Sequence, residues 1–218
     1  TLAGAKAASS HTGALAGNDK IYEDVFKQIG VIRARSLRDL LDFARGVPIL
    51  PTPKGENIVI ITGAGGSGVL LSDACVDNNL TLMPMPEDLD AAFRKFIPPF
   101  GAAGNPVDIT GGEPPLTYKN TVLLGLSDPR IHALILGYWH TIVTPPMVFA
   151  KIMVEARDEM RAKGIDKPIV ASLAGDVEVE EAAQYLYEHG IPAYAYSTEI
   201  PVAVLGAKYQ WARGAGLI

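Results

Sequence analysis

Residues 9–17 read SSHTGALAG, which sets one imidazole, His11, between hydroxyls and a run of small residues. A neutral imidazole is a good nucleophile at physiological pH, because its ordinary pKa lies at about 6.5. Nothing beside His11 is bulky enough to bury it. Gly13 and Gly17 would let the segment move, and Thr12 and Gly13 would lie close to any phosphoryl group that approached. Zinc chemistry lacks its spacing, since no second His or Cys falls within a helical turn. Ser9 and Ser10 lack the GxSxG elbow of a hydrolase nucleophile. Two readings stay open on chemistry alone, a histidine nucleophile and a loop histidine without a special role.

A second set lies in ITGAGGSGVLLSDA, residues 61–74. The order strand, glycine turn, helix leaves amide groups and the positive end of a helix dipole facing whatever occupies the turn. Gly63, Ala64, Gly65, Gly66, Ser67 and Gly68 are the candidate phosphate-binding residues, with Ser67 expected to cap the helix. No Gly-Lys-Ser/Thr follows, so this is not a Walker loop. The GxGxxG positions are filled, but no acidic residue follows a second strand as a dinucleotide site requires. A tight strand-to-helix turn with no ligand is the alternative. GNPVDITGGEPP, residues 104–115, is too long and glycine-rich for an idle connection. Asn105, Asp108, Gly111 and Gly112 are its candidate site-lining residues, against a structural Asx turn. His140 stands at the carboxyl end of an apolar run and joins them, whereas His132 and His189 read as structural.

These residues need a framework, and the apolar runs supply one. IVIIT (58–62), LTLM (80–83), ALILGYW (133–139), PIVASL (168–173) and AYAY (193–196) show no inside–outside alternation and are separated by amphipathic helical patterns. That pattern predicts an α/β fold with a doubly wound, parallel, flavodoxin-like sheet covered on both faces, in which ligands sit beyond the carboxyl ends of the strands. Helices are expected over about 67–77, 118–126, 146–163, 177–189 and 198–213, with another starting near Glu87. Before this region, TLAGAKAA shows no recognisable element start. A helix capped by Asn18 or Asp19 runs to about Gln28 and stops at Gly30. VIRA (31–34) reads as a short strand, and Ser36 with Asp39 opens a further helix. Three prolines in GVPILPTPKGEN mark a linker. The division is therefore residues 1–46 as part of one domain, 47–57 as linker and 58–218 as the flavodoxin-like domain.

The net charge of −5 comes without a basic stripe, so a nucleic-acid footprint is missing. No uninterrupted apolar run is long enough to span a membrane. A single cysteine, Cys75, excludes an internal disulfide and suits a reducing, cytoplasmic setting.

SSHTGALAGNDKIYEDVFKQIGVIRARSLRDLLDFA, ITGAGGSGVLLSDA, GNPVDITGG and PIVASLAG, in that order, resemble the NDP-forming (ADP-forming) acyl-CoA synthetases, relatives of succinyl-CoA synthetase. The first stretch resembles the end of the family's second domain, and the others its following flavodoxin-like ligase domain. The resemblance implies that His11 carries a phosphoryl group between acyl phosphate and ADP. The net interconversion is carboxylic acid, CoA and ATP with acyl-CoA, ADP and phosphate. It implies ATP/ADP with Mg2+ held by an ATP-grasp domain, CoA as substrate, a separate CoA-binding domain, and homo- or hetero-oligomeric assembly. Those domains, and the family's acidic partner of the histidine, lie outside these residues. The chain is thus expected to be a fragment that is inactive alone. A CoA-sensing regulatory module beside an acetyltransferase and a flavin-binding domain are the alternative functions.

Overall fold

The computed structural model describes residues 1–12 and 18–218. Strand β1 (Asn57–Thr62) has no polar face, since Ile58, Val59, Ile60 and Ile61 are all buried. Such a strand must be covered by helices on both sides. Around it lies a parallel sheet in the order β2 (Thr81–Leu82), β1, β4 (Ala133–Trp139), β5 (Ile169–Ala174) and β6 (Ala193–Ala195). Ile58, Ile60, Ala133, Ile135 and Val170 face α4 (Gly65–Asp77) and α9 (Glu199–Gly214). Val59, Ile61, Leu134, Leu136 and Leu173 face the opposite layer. That layer is built from α5 (Glu87–Phe93), α6 (Pro115–Ser127), α7 (Pro146–Ala162) and α8 (Glu178–Glu188). This is the doubly wound, flavodoxin-like architecture that the sequence predicts. Its switch point falls between β1 and β4, where successive crossovers leave in opposite directions.

One strand escaped the pattern. β3 (Val107–Asp108) lies inside the stretch read as irregular and pairs with Ile61 and Thr62, while β2 pairs with Asn57 and Ile58. Two short strands thus share one edge of β1, and Ile60 sits at the junction. The Asn105 side chain fills that gap. Its Oδ1 accepts from the Ile60 N–H at 3.0 Å, and its Nδ2 donates to the carbonyls of Ile58 at 2.8 Å and Met83 at 3.0 Å. A cis bond joins Asn105 to Pro106. A two-residue strand has too little apolar periodicity to be seen in sequence.

The amino-terminal segment differs from expectation in three places. TLAGAKAA is not featureless: Leu2–Thr12 form α1, as its alanines favour. Every residue of α1 through His11 is exposed except half-buried Ala5. VIRA is not a strand, because residues 31–34 find no ladder partner among the described residues. Gly30 does stop α2 (Asp19–Gln28), at φ 70°, and Asn18 caps it by accepting from Lys20 N–H at 3.0 Å. Ser36 opens α3 (Leu37–Gly46) by accepting from Asp39 N–H, while Asp39 accepts in return from Arg35 N–H, each at 3.0 Å. Leu50 and Pro53 of the proline-rich segment are buried. Cys75 is fully buried, and burial pushes its thiol up to about 12, which leaves it unreactive. No helix among the described residues is long and apolar enough to cross a membrane.

Replacing Asn105 by Ala strips the side-chain partner from the Ile60 N–H and the Met83 carbonyl in a partly buried notch, and leaves the Ile58 carbonyl only the Met83 N–H. The expected cost is roughly 2–4 kcal/mol. A lower urea midpoint at unchanged m-value in chemical denaturation would show it, and an unchanged midpoint would refute it.

Candidate functional site

The turn after β1 is built by hydrogen bonds local to the strand end. Gly63 N–H donates to Gly137 O at 3.0 Å, which extends the β1–β4 ladder by one step. The Thr62 hydroxyl then accepts from Ala64 N–H and donates to Ala64 O, both at 3.0 Å. Ala64 is extended (φ −142°, ψ 104°) and serves as N-cap, so α4 begins at Gly65. Ser67 therefore lies within the first turn and is not the cap that its residue type suggested. Gly68 N–H is the first to reach an acceptor within the helix, Ala64 O at 3.0 Å. The amides of Gly65, Gly66 and Ser67 precede it and face outward at the positive end of a thirteen-residue helix.

Four glycines occupy this turn for different reasons. A Cβ on Gly63 would sit 1.9 Å from the Tyr118 hydroxyl, one on Gly65 2.8 Å from Asp108 Oδ2, and one on Gly68 3.1 Å from Thr62 Cγ2. Gly66 would meet nothing within 4 Å. Three of the glycines are thus demanded by the protein's own packing. The fourth leaves room beside amides that are unpaired among the described residues, where an approaching anion would fit.

Two residues that sequence reasoning passed over shape this corner. Thr62 ends β1 and ties the turn. Tyr118 comes from the first turns of α6 and stacks edge-on against Phe149 at 5.3 Å. Its hydroxyl is buried with no hydrogen-bond partner among the described residues, and burial, helped by Tyr138 and Asp108, pushes its pKa up. The only sequence signal for it was an aromatic soon after a Gly-Gly-Glu-Pro-Pro loop.

The proline loop divides in two. Asn105 spends its whole amide on the sheet, as described above. Asp108 stands at the turn: Oδ1 accepts from Thr110 N–H at 2.8 Å, and Oδ2 faces Gly65. Thr110 adopts φ 65° to close that small Asx ring. Gly111 lies against the turn, its would-be Cβ 3.2 Å from Gly63 O, while Gly112 has open space. Asp108 already places negative charge at the helix terminus, so an incoming anion meets attraction from the amides and repulsion from this carboxylate.

His140 is held by two carboxylates at the start of α8. Its Nδ1 lies 3.1 Å from Asp176 Oδ1, and its Nε2 3.6 Å from Glu178 Oε2 at the start of α8. These three side chains are the one group among the described residues whose atoms cluster as metal ligands do. The two carboxylates take opposite ring nitrogens, however, as they do around a hydrogen-bonded imidazole. Chelation of one ion would need both on the same side. His132 and His189 are structural: His132 Nδ1 accepts from Asn57 N–H at 3.0 Å, and His189 stacks on Tyr185 at 4.0 Å.

His11 is not in a loop. It is exposed on the last turn of α1, with Thr12 the final helical residue. Gly13 lies outside the described residues. Gly63→Ala should lower stability by roughly 2–4 kcal/mol, because the ring of Tyr118 is wedged and cannot retreat. Gly66→Ala should change it by less than about 0.5 kcal/mol. Thermal unfolding of the two variants side by side checks both; equal losses would mean that Gly66 is as confined as Gly63.

Known proteins resemble this chain along its whole length. The Ligase-CoA domain family model matches residues 58–218, and the model for the succinyl-CoA ligase like flavodoxin domain matches residues 1–47. The α subunit of acetate–CoA ligase [ADP-forming] I from Pyrococcus furiosus is 41% identical over 210 residues, covering 96% of this chain and 44% of that protein. Acetate–CoA ligase [ADP-forming] from Methanocaldococcus jannaschii is 36% identical over 211 residues, 97% of this chain and 30% of the relative. The solved structure of Ca. Korarchaeum cryptofilum dinucleotide forming acetyl-coenzyme A synthetase 1, in complex with phosphate and ADP, superposes with a TM-score of 0.91 at 38% identity. It is matched over 100% of this chain and 46% of its own. The chain spans less than half the length of these relatives. They are ligases, so the regulatory-module and flavin readings are not carried further. By its sequence matches and by its fold, the chain belongs to the ADP-forming acyl-CoA synthetase family.

Proposed function

We propose that the protein to which these residues belong interconverts a carboxylic acid, CoA and ATP with acyl-CoA, ADP and phosphate, and that His11 is its phosphoryl carrier. The observation that carries this reading is the turn at residues 63–68. It presents three amides unpaired among the described residues and an unfilled space at Gly66, at the switch point of the sheet. A phosphoryl group on a histidine is a suitable guest for such a place, and His11 is exposed at the end of a helix.

In the direction of ATP synthesis, a phosphate oxygen attacks the thioester carbonyl and the CoA thiolate leaves. A nitrogen of His11 then attacks phosphorus, and the carboxylate departs with the electron pair of the broken P–O bond. An oxygen of ADP finally takes the phosphoryl group, and the P–N bond breaks to restore the imidazole. The amides of Gly65, Gly66 and Ser67 would balance charge on the phosphoryl oxygens in the middle step. Magnesium would accompany the nucleotide and neutralise its phosphates, outside the residues described. We place ATP, CoA and magnesium binding on further domains or a partner subunit, and the reaction in the cytoplasm. The acid itself is not specified by these residues.

Incubating the intact protein with labelled ATP and Mg2+ should give label that is acid-labile and base-stable. His11→Ala should abolish it; undiminished label would remove His11 from the reaction. Gly66→Val should raise KM for phosphate by about tenfold. Valine is no worse than glycine in a helix, so Tm should hold within about 2 °C. A parallel loss of Tm would make the turn merely structural.

A further inference from the structure

A cavity of about 310 Å³ opens at the amino ends of β1, β4 and β5, the opposite border of the sheet from the glycine turn. Leu126, Pro129, Ile131 and Ile165 give it apolar walls, and Lys54, His132 and Lys167 are its basic groups. The carboxylates nearby are already spoken for. Asp128 holds Arg130 at 2.6 Å, Asp166 holds Arg161 at 2.8 Å, and Glu56 holds Arg213 at 2.6 Å. His132 accepts a backbone N–H on Nδ1, and burial together with Lys167 lowers its pKa, so it faces the cavity uncharged. Lys54 makes no ion pair among the described residues, and its charge acts on Lys167.

Lys167 is half-buried at the foot of β5, and its Nζ donates to the Asp128 carbonyl at 2.7 Å. Burial pulls its amine down to about 8, with Asp128 opposing and Lys54 assisting. An amine desolvated among apolar side chains and set near a second cation is an activated nucleophile. Nothing in the reaction proposed above uses it.

We propose that Lys167 is a site of self-acylation, its Nζ accepting the acyl group of a small acyl phosphate within this cavity. The lone pair of the neutral amine attacks the carbonyl carbon, and a C–N bond forms. The bond between that carbon and the bridging phosphate oxygen breaks, inorganic phosphate leaves with its electron pair, and the nitrogen gives one proton to solvent. The product amide still has an N–H for the Asp128 carbonyl, so the existing hydrogen bond survives. Its acyl chain lies against Leu126, Pro129, Ile131 and Ile165, and a desolvated charge is removed. Acyl phosphate is an intermediate of the reaction inferred above, but the modification needs only the compound itself.

The test supplies acetyl phosphate to the intact protein without CoA or nucleotide and measures acetylation at each lysine by mass spectrometry from pH 6.5 to 9.5. At pH 7.5 Lys167 should react faster than exposed Lys95 and Lys151 by about tenfold or more, as the larger free-amine fraction requires. Its rate should level off above pH 8. Equal rates, or a Lys167 profile that parallels the exposed lysines throughout, would overturn the proposal. Lys54→Met removes the neighbouring cation from the exposed rim of the cavity and should slow Lys167 at pH 7.5 by about threefold; an unchanged rate would likewise count against it. His11→Ala should acetylate Lys167 as the parent does, which separates this proposal from the phosphohistidine reading.

Discussion

One asparagine amide governs the geometry of the glycine corner. Asn105 occupies the break between β2 and β3 on the edge of β1, satisfying the Ile60 N–H and the Met83 carbonyl and sharing the Ile58 carbonyl with the Met83 N–H. Because it holds there, β3 can begin immediately and pair with the last two residues of β1. That pairing sets Asp108 beside Gly65 and lays Gly111 on Gly63. Pro106 packs under Gly68 at the same time, fixing the first turn of α4 from below. The carboxylate beside the anion-ready amides is therefore placed through Asn105, while the Thr62 hydroxyl and the Gly63–Gly137 bond shape the turn itself.

Electrostatics at this corner are mixed by construction. The end of α4 offers roughly half a positive charge, yet Asp108 lies against it. The carboxylate accepts from Thr110 and leaves the amides of Gly65, Gly66 and Ser67 to another acceptor. Its repulsion grows with the negative charge of the guest, which favours a phosphoryl group delivered on a neutral or cationic carrier. An imidazole bonded to phosphorus is such a carrier.

Most of the architecture was legible because its signals are long. Five apolar runs without alternation and the amphipathic stretches between them led directly to a doubly wound parallel sheet. Asn18, Gly30 and Ser36 terminate helices where their chemistry says they should. Errors fell where the signal was short or the partner lay elsewhere. β3 spans two residues, too few for any periodicity. VIRA is β-prone but has no ladder among the described residues, and propensity without a partner makes no strand. Small-residue content suggested a loop around His11, whereas alanine-rich stretches are good helix formers. At the site, glycine spacing located the turn correctly. It could not separate Gly66, open to solvent, from Gly63, pinned by a tyrosine 55 positions away in the chain, since that distinction is purely tertiary.

The broken edge of β1 has a bearing on how the molecule behaves among its neighbours. At that border the sheet ends in two stubs of two residues each, and at the other in β6, three residues long. Neither offers enough consecutive unpaired backbone to template a foreign strand. Edge-to-edge polymerisation is thereby discouraged at both borders, which leaves the helices and loops as the surfaces better suited to contact another polypeptide.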